Sequence, residues 1–291
     1  MLGEIRGEVR FKEPLAFHTS LRCGGPADIF VLPQDVDDVR KALIFADKEK
    51  LPVHVLGGGN NVLVKDRGIR GMVVKLEGCL GRMEFHGEEV TIGGGAGLST
   101  MIREAAALGL GGMECLVGIP ATIGGALAMN AGGPDGAIGD FVSAVYFLHA
   151  DGTIGELKPA PGAFAYRALS FPTGAILLGA RLGLHRKPQK EVLAEIKARL
   201  RQKKATQPLA LAAAGMIWKT PGADQAGRLF EKAGLRGKRI GAAEISAKHA
   251  NFVVNRGGAT ARDILALVDL AIERVSATGV RLQSELCVLG D

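Results

Sequence analysis

Apolar positions in the first 185 residues alternate between short runs, which are typical of strands, and spacings of three and four residues, which are typical of helices. A helix capped by Asp35 is predicted from Val36 to Ala46, and a second helix from Leu98 to Leu108. Strands are predicted over residues 28–32, 52–56, 62–64, 71–76 and 175–184, with another that ends at Ile92.

A hairpin and a basic helix end this first part of the chain. Residues 141–157 are predicted to form two paired strands, and Asp151-Gly152 between them predicts a tight type I′ turn. The basic helix is predicted from about Gln189 to Lys204, and the main domain boundary is placed there.

The C-terminal part contains one clear helix, which begins at Thr260. Thr260 and Asp263 have the spacing of a capping box, in which each side chain accepts a hydrogen bond from the other residue's backbone. The predicted buried face of this helix consists of Ile264, Leu267, Val268, Ala271, Ile272 and Val275.

Composition adds one strong signal, which is the glycine content. The 291 residues include 42 glycines, about twice the average usage of roughly 7%. The glycines cluster and do not recur at every third position, which excludes collagen, and a hydrophobic fraction of 47% excludes disorder as the main state. Clustered glycine in a folded protein indicates that the backbone turns sharply or approaches a ligand closely.

Positive charge is concentrated in one window. The formal net charge is +6, and residues 186–204 alone hold eight Lys or Arg and two Glu, so the rest of the chain is neutral. Such a run is typical of a solvated helix face. The functional alternatives are a polyanion site or the steering of a phosphorylated substrate. A nucleic-acid-binding protein that uses this helix is therefore one alternative function.

Cysteine usage indicates a reducing compartment. Cys23, Cys79, Cys115 and Cys287 form neither a CxxC pair nor the spacing of a disulfide or zinc framework. The N-terminal residues lack the apolar core of a secretory signal. We therefore expect a cytoplasmic protein.

One uncharged segment has the length of a membrane span. The 20 residues from Cys115 to Pro134 carry no charge, but glycines, prolines and an asparagine interrupt them. A lipid-exposed helix could not satisfy so broken a backbone. We therefore expect a buried loop that binds a polar group, and no membrane insertion.

Several common cofactor and catalytic motifs are missing from the sequence. There is no GxxxxGK[ST] phosphate loop, no GxSxG elbow and no HxxxH pair, and we expect no metal. The glycine run 57–59 follows a strand but lacks the third spaced glycine and the helix of a Rossmann fingerprint. Two glycine-rich loops remain, Gly57 to Asn61 and Gly118 to Gly133, and their backbone amides together indicate a bound dinucleotide.

Six segments spread along nearly the whole chain are distinctive: HTSLRCGGPAD (18–28), VLGGGNNVLVKDRGIRGMVV (55–74), GIPATIGGALAMNAG (118–132), FAYRALSF (164–171), AGRLFEKAGLRGKRIGAAEISAKHANFVVN (226–255) and GVRLQSELCVLG (279–290). In the same order, they resemble segments of the UDP-N-acetylenolpyruvoylglucosamine reductase family. The short link between Phe171 and the basic helix leaves no room for the insertion of the longer subtype, so the chain resembles the compact second type.

The resemblance implies an α+β fold: the two-part FAD-binding fold of the vanillyl-alcohol oxidase (PCMH) type over residues 1–75 and 76–185, followed by a C-terminal α+β substrate domain over residues 186–291. It implies non-covalent FAD, NADPH as the reductant, and reduction of a UDP-sugar enolpyruvyl group to UDP-N-acetylmuramate for peptidoglycan synthesis. The implied FAD-binding residues are Gly57, Gly58, Gly59, Asn60, Asn61, Gly118, Ile119, Pro120, Thr122, Gly124 and Gly125.

Catalytic positions are carried over from the matching motifs. Arg167 is the implied stabiliser of carboxylate charge, and Glu285 is the implied glutamate that assists protonation. The family's proton-donor serine position holds Met216, whose thioether has no proton to give. The implied substrate-binding residues are Asn130, Tyr166 and Lys219.

The methionine at the donor position creates a second alternative beside the reductase. Met216 favours a flavoprotein of the same fold whose substrate reduction is altered or impaired. The partners we expect are the UDP-sugar and NADPH, with no nucleic acid, and a monomer is favoured.

Overall fold

A computed structural model describes residues 2–78, 80–219, 229–277 and 279–291. Two compact units make up the chain, and each is built from separate stretches of sequence. The first unit comprises residues 1–10, 29–58 and 71–202, and the second comprises residues 11–28, 59–70 and 203–291. The predicted consecutive domains over residues 1–75, 76–185 and 186–291 stay a prediction.

The four predicted helices are present, and the structure adds a short helix at Ile123–Ala128 that was not predicted. The helices are α1 (Val36–Lys48), α2 (Leu98–Ala107), α3 (Ile123–Ala128), α4 (Gln189–Thr206) and α5 (Ala261–Ser276), and residues 229–232 are also helical. Short 3₁₀ helices lie at Leu2–Glu4, Leu15–His18, Glu114–Leu116 and Ile138–Phe141.

The strands are short, and many have only two residues. In the N-terminal third they are β1 (Glu8–Pro14), β2 (Pro26–Leu32), β3 (Val53–Leu56), β4 (Val62–Val64), β5 (Ile69–Lys75), β6 (Met83–His86) and β7 (Glu89–Gly93). In the middle third they are β8 (Leu110–Gly111), β9 (Gly132–Gly133), β10 (Gly136–Ala137), β11 (Val142–Leu148), β12 (Ile154–Leu157), β13 (Phe164–Ala165), β14 (Ala168–Leu169), β15 (Ile176–Gly183) and β16 (His185–Arg186). In the C-terminal third they are β17 (Ala212–Ala213), β18 (Trp218–Lys219), β19 (Arg239–Ile240), β20 (Ala243–Ile245), β21 (Val253–Asn255), β22 (Gln283–Ser284) and β23 (Cys287–Leu289).

The largest sheet of the first unit has the strand order β12-β11-β15-β7-β6, and each neighbouring pair is antiparallel. Met101 of α2 and Ile123 and Leu127 of α3 join Val145 and Leu182 of this sheet in one buried apolar cluster. This core fixes α3 and, with it, the glycine-rich loop that comes before α3.

A second apolar cluster of the first unit surrounds α1. The Asp35 side chain accepts a hydrogen bond from the Asp38 N–H at 3.1 Å, which confirms the predicted cap. Strands β3 and β5 run parallel, with Val53 opposite Met72. Because β3 ends at Leu56, the first glycine run begins at the carboxyl end of a parallel strand.

The core of the second unit is centred on α5 and on a four-stranded sheet of order β17-β21-β20-β19. The capping box is confirmed, since Thr260 and Asp263 exchange hydrogen bonds of 3.0 and 3.1 Å. The predicted apolar face of α5 is buried, with Ile272 only partly so. It belongs to the same cluster as Trp218 and Phe230, whose ring centroids are 4.8 Å apart. Strand β18 is therefore anchored in this core.

The predicted end of the second helix is wrong by one residue. Leu108 lies beyond α2 and is 51% exposed. The helix ends there because Gly109 follows with a φ of +69°, the left-handed conformation typical of a helix C-terminus. The apolar spacing continues past the helix, and it does not contain this signal.

The predicted type I′ turn is also wrong, although β11 and β12 form the predicted hairpin. A type I′ turn needs positive φ at both central residues. Here Gly152 has a φ of +83°, and Asp151 does not have positive φ. The Asp151 carboxylate instead accepts hydrogen bonds from the Thr153 N–H at 2.9 Å and hydroxyl at 2.7 Å. These bonds favour the longer loop, in which the His149 N–H bonds to the Thr153 carbonyl at 2.8 Å.

Candidate active site

The first glycine-rich loop, residues 57–61, begins where β3 ends and has no room for side chains at two of its glycines. A Cβ atom at Gly57 would collide with the hydroxyl oxygen of Thr122, and one at Gly59 would collide with the carbonyl oxygen of His18. Gly59 also has a φ of +63°, which favours glycine. Close backbone packing therefore requires these glycines.

The same loop presents a row of backbone donors. Within the described part of the chain, the N–H groups of Gly57, Gly58, Gly59 and Asn60 have no hydrogen-bond acceptor. Ser20 fixes the loop, since its N–H and its hydroxyl bond to the Gly59 carbonyl at 3.1 and 3.3 Å. Consecutive amides without internal acceptors are suited to binding phosphate oxygens.

The second predicted glycine-rich loop, Gly118 to Gly133, is wrong over Ile123–Ala128, which form α3. Its first part, residues 118–125, comprises a loop and the first turn of α3 and is braced inside the first unit. Thr122 caps α3, and its hydroxyl oxygen accepts the Gly125 N–H at 3.3 Å. The Gly124 N–H donates to the Gly94 carbonyl at 2.8 Å, and a Cβ atom at Gly124 would lie only 3.2 Å from that carbonyl oxygen. The cap and this close approach fix the loop's position.

The two loops lie side by side. The contact between the Thr122 hydroxyl and Gly57 places residues 57–58 and residues 118–125 together within the first unit. Gly118 has a φ of +77°, Ile119 is half-buried and Pro120 is exposed. Bare glycine backbone, a cap hydroxyl and unpaired amides fit the pyrophosphate of a dinucleotide, as the sequence predicts.

Arg167 is held in a strained turn. It lies in the two-residue connection between β13 and β14, and its φ is +58°. A residue other than glycine in this conformation costs about 1 kcal/mol. Its guanidinium donates to the Gly132 carbonyl at 3.1 Å and lies 5.1 Å from the centroid of the Tyr166 ring. Strain of this kind concentrates at functional sites, where a side chain must occupy one position.

Asn130 supports the same hairpin. Its side-chain amide donates to the Ala165 carbonyl at 2.9 Å, and its side-chain oxygen accepts the Gly139 N–H at 3.1 Å. Like Arg167, Asn130 has positive φ, at +38°. The first unit thus brings together Asn130, Tyr166 and Arg167, and Tyr166 is 59% exposed.

Three further predicted residues lie close together in the second unit. Strands β18 and β22 are antiparallel and place Lys219 opposite Gln283. Directly after β22, the Glu285 N–H donates to the Ile217 carbonyl at 2.7 Å. Asn61 at the end of the first loop donates its side-chain amide to the Glu285 carbonyl at 2.9 Å. A series of hydrogen bonds therefore connects Asn61, Glu285 and the segment that begins at Met216.

Met216 directly precedes Ile217 and is 38% exposed. Ser284 supplies a hydroxyl next to this segment: it donates to the Ile217 carbonyl at 3.4 Å and accepts the Leu286 N–H at 3.1 Å. Thr220, where the resemblance implies an asparagine in the family, lies outside the described residues.

The sequence analysis missed Asn251, which is 4% exposed. Its side-chain oxygen accepts the N–H groups of Ile217 at 3.1 Å and Trp218 at 2.9 Å, and its amide donates to the Trp218 carbonyl at 3.1 Å. The sequence contained one signal for this role, which is an amide side chain at the start of the otherwise apolar run NFVV (251–254). A buried amide needs hydrogen-bond partners, so such a residue indicates a structural contact. Asn251 positions the backbone next to Met216.

The cysteines do not suggest redox or metal chemistry. Burial, together with the smaller effect of the negative charges of Asp66 and Asp263, raises the pKa of the Cys23 thiol to about 12. Cys23, Cys115 and Cys287 are unpaired. Across the described ranges, no group of three His, Cys, Asp or Glu side chains is arranged to hold a metal ion. No helix among those residues is long and apolar enough to cross a membrane.

Comparisons with known proteins identify relatives of this chain. Residues 27–158 match a model described as an FAD binding domain, and residues 207–289 match the UDP-N-acetylenolpyruvoylglucosamine reductase C-terminal domain. The chain is 41% identical over 286 residues to UDP-N-acetylenolpyruvoylglucosamine reductase 2 of Symbiobacterium thermophilum, covering 98% of this chain and 93% of that protein. It is 40% identical over 265 residues to the Bacillus subtilis reductase, covering 90% and 88% of the two chains.

Solved structures give the same result. The crystal structure of the Thermus caldophilus reductase superposes with a TM-score of 0.85 at 35% identity, over 98% of this chain and 100% of that one. A BBE-like protein of Physcomitrella patens superposes with a TM-score of 0.51 at 17% identity, over 94% of this chain and 59% of that one. The second likeness concerns the fold alone.

Proposed function

The chain belongs to the UDP-N-acetylenolpyruvoylglucosamine reductase family, and we propose that it catalyses the reaction for which that family is named. The reaction reduces UDP-N-acetyl-enolpyruvoylglucosamine to UDP-N-acetylmuramate for peptidoglycan synthesis, with FAD as cofactor and NADPH as reductant. The fold is the two-part FAD-binding fold of the vanillyl-alcohol oxidase type with a C-terminal α+β domain. The observation that carries this proposal is the 41% sequence identity to the Symbiobacterium thermophilum reductase over 98% of this chain. The comparisons support neither alternative function, the altered flavoprotein or the nucleic-acid-binding protein.

We infer that FAD is held non-covalently by the two glycine-rich loops. The unpaired amides of residues 57–60 would bind the pyrophosphate, and the loop of residues 118–125 would lie against the cofactor. When bound, FAD supplies the hydride that adds to the enolpyruvyl double bond, after its own reduction by NADPH. Precipitation of the purified protein with acid should release all flavin into the supernatant, and flavin left on the protein would contradict this proposal.

Arg167 is the residue that we assign to charge stabilisation. Addition of hydride to the terminal enolpyruvyl carbon leaves negative charge on the neighbouring carbon and on the carboxylate attached to it. A fixed guanidinium stabilises such charge without reorganising during the reaction. The strained φ of +58° and the bond to the Gly132 carbonyl support this role, because they hold Arg167 in place before substrate binds.

Protonation of that carbon must proceed without the family's serine. Met216 has no proton to donate, so we propose that a water molecule oriented by Glu285 delivers it. The position of Glu285, bonded through its backbone to Ile217 and Asn61, supports this assignment. Lys219 on the adjacent strand is assigned to binding the anionic substrate.

The experiment that tests the function separates the two half-reactions. Anaerobic mixing of the FAD-loaded protein with NADPH should bleach the flavin absorbance, and later addition of the enolpyruvyl substrate should restore it. Mass spectrometry should then detect UDP-N-acetylmuramate. Bleaching without recovery would support the altered flavoprotein and contradict the reductase.

We further propose a monomer that acts in the cytoplasm and has no nucleic-acid partner. The UDP-sugar and NADPH are the partners that follow from the family. The unpaired thiols of Cys23, Cys115 and Cys287 suit a reducing compartment. We also propose that residues 1–75 and 76–185 bind FAD and that residues 186–291 bind substrate, which the two family-model matches support.

A further inference from the structure

Helix α4 uses one side for contacts within the first unit. Val192 on this side is 1% exposed. Glu195 accepts hydrogen bonds from Lys187 at 2.8 Å and from Arg199 at 3.0 Å, and Arg199 also donates to Asp135 at 2.7 Å. Packing and ion pairs therefore occupy this side of the helix. Two of the cations in the basic window of residues 186–204, Lys187 and Arg199, take part in these ion pairs.

The other side of α4 combines cations with leucines. Their spacing places Lys190, Leu193, Lys197, Leu200 and Arg201 on one face, which we call the α4 basic face. All five are exposed, the leucines by 45% and 43%. Among the residues that the structure describes, no carboxylate lies within ion-pair distance of the three cations of this face.

The acidic residues of the helix do not offset this charge. Glu195 is engaged with Lys187 and Arg199 on the packed side. Glu191 follows Lys190 directly, so it lies about 100° away around the helix. The three cations therefore present a single-sign surface with apolar side chains beside it.

We propose that the α4 basic face binds the surface of a membrane rich in anionic phospholipid. The cations complement the negative surface potential of such a membrane, which attracts clustered Lys and Arg. The leucines beside them enter the boundary between headgroups and acyl chains. A nucleic acid would use the cations but would leave two exposed leucines without a role, so the observations favour the lipid surface. The attachment is peripheral.

Sedimentation of the FAD-loaded enzyme with vesicles tests the proposal. Binding is expected to an equal mixture of phosphatidylcholine and phosphatidylglycerol and not to phosphatidylcholine alone, and it should fall as salt is added. The triple variant Lys190→Glu, Lys197→Glu, Arg201→Glu should lose binding by about 10²-fold, since each basic residue near the surface contributes about fivefold. Leu193→Ser with Leu200→Ser should lower binding by about tenfold at unchanged charge.

A charge-matched control separates this face from general electrostatics. The variant Lys232→Glu, Lys238→Glu, Arg262→Glu also lowers the charge by two per substitution, from +6 to zero, at exposed positions of the second unit. It should bind the mixed vesicles like the parent. Three results would overturn the proposal. They are an equal loss of vesicle binding in both triple variants, equal binding of the parent to both kinds of vesicle, and unchanged binding after the leucine substitutions.

Two further measurements complete the test. The first is competition with duplex DNA. If DNA displaces the vesicles and the leucine variant binds DNA like the parent, the α4 basic face binds nucleic acid and the proposal is overturned. The α4 variants must retain their flavin spectrum and reductase activity, because α4 carries none of the assigned site residues, and the control variant must retain its flavin spectrum. If the triple variant does not fold, the single Lys197→Glu variant should lower binding by about fivefold, and unchanged binding would contradict the proposal.

Discussion

The side-chain amide of Asn61 donates to the backbone carbonyl of Glu285 at 2.9 Å. Asn61 ends the glycine loop assigned to FAD, and Glu285 is the carboxylate assigned to protonation. The Glu285 N–H donates in turn to the carbonyl of Ile217, the residue after Met216. Within the second unit, hydrogen bonds to the Glu285 backbone therefore couple the position of a residue assigned to FAD to that of the carboxylate assigned to orient the proton-donating water.

Replacement of Asn61 should consequently affect two properties at once. Asn61→Ala is expected to lower FAD affinity and, at saturating FAD, the rate of substrate reduction, each by about fivefold for one neutral hydrogen bond. The matched control Asn60→Ala should lower FAD affinity alone. Titration of the apoprotein with FAD and single-turnover rates measure the two effects. A normal rate in saturated Asn61→Ala would show that this bond does not position Glu285.

Arg167→Ala should separate the two half-reactions. We expect FAD binding and flavin reduction by NADPH to remain, and reduction of the enolpyruvyl substrate to fall by at least about 10²-fold, the effect of losing one transition-state charge stabiliser. Arg167→Lys should recover part of the rate, since it keeps the charge but loses the planar fork of donors. Stopped-flow absorbance follows both steps. Equal losses in the two steps would indicate that Arg167 is structural.

Asn251→Ala should destabilise the segment next to Met216. The substitution removes the side-chain acceptor of two buried N–H groups and the donor to the Trp218 carbonyl. We expect a loss of about 2 kcal/mol in the free energy of unfolding, because buried backbone groups are left with fewer partners. Urea denaturation measures it. Asn60→Ala, on the half-buried glycine loop, serves as the control and should leave stability nearly unchanged.

The protein should lose stability as the pH falls below about 6.5, in part through His249. Burial lowers the pKa of His249 below its ordinary value of 6.5, and the positive charge of Arg236 lowers it further. The neutral ring also accepts the Asn251 N–H at 3.3 Å. In the unfolded chain the His249 ring binds a proton at a higher pH than in the folded protein. The stability that the neutral His249 ring contributes is therefore fully present above pH 6.5 and is lost as the pH falls toward the lowered pKa.

Urea unfolding at about pH 7.5 and about pH 5.5 measures this dependence. His249→Phe removes the titrating group and should make the difference smaller. His86→Gln is the matched control, because the His86 side chain is 70% exposed. An equal pH dependence in the parent and in His249→Phe would contradict the assignment.

Local signals in the sequence predicted local structure well. Asp35 and Thr260 cap their helices because their partners, Asp38 and Asp263, are three residues away. The bonds that shape the site are not local. Asn251 meets Ile217 across 34 residues, and no pattern of apolar spacing contains that pairing.

The spacing of apolar residues also could not predict the backbone conformation of single residues at turns. The left-handed φ of Arg167 is imposed by the pairing of β13 and β14, not by a glycine that could be recognised in advance. The roles of Arg167 and Glu285 came from whole-motif resemblance, because an isolated Arg or Glu has no distinctive spacing. The glycine loops were recognisable, since close backbone approach allows no other residue at Gly57 and Gly59.

Met216 gives the sharpest prediction, because it stands at the position that the sequence resemblance assigns to the proton donor. Met216→Ser should raise the rate of substrate reduction and leave flavin reduction by NADPH unchanged, since a positioned acid contributes about 10²–10⁴-fold. Met216→Ala is the matched control: it frees the same space without supplying a proton and should not raise the rate. The solvent deuterium effect on this step should change only in the serine variant, because only there does the proton source change. A parent enzyme of ordinary speed that Met216→Ser does not accelerate would contradict the assignment. Ser284, which bonds to the Ile217 carbonyl at 3.4 Å, would then be the hydroxyl to replace with alanine.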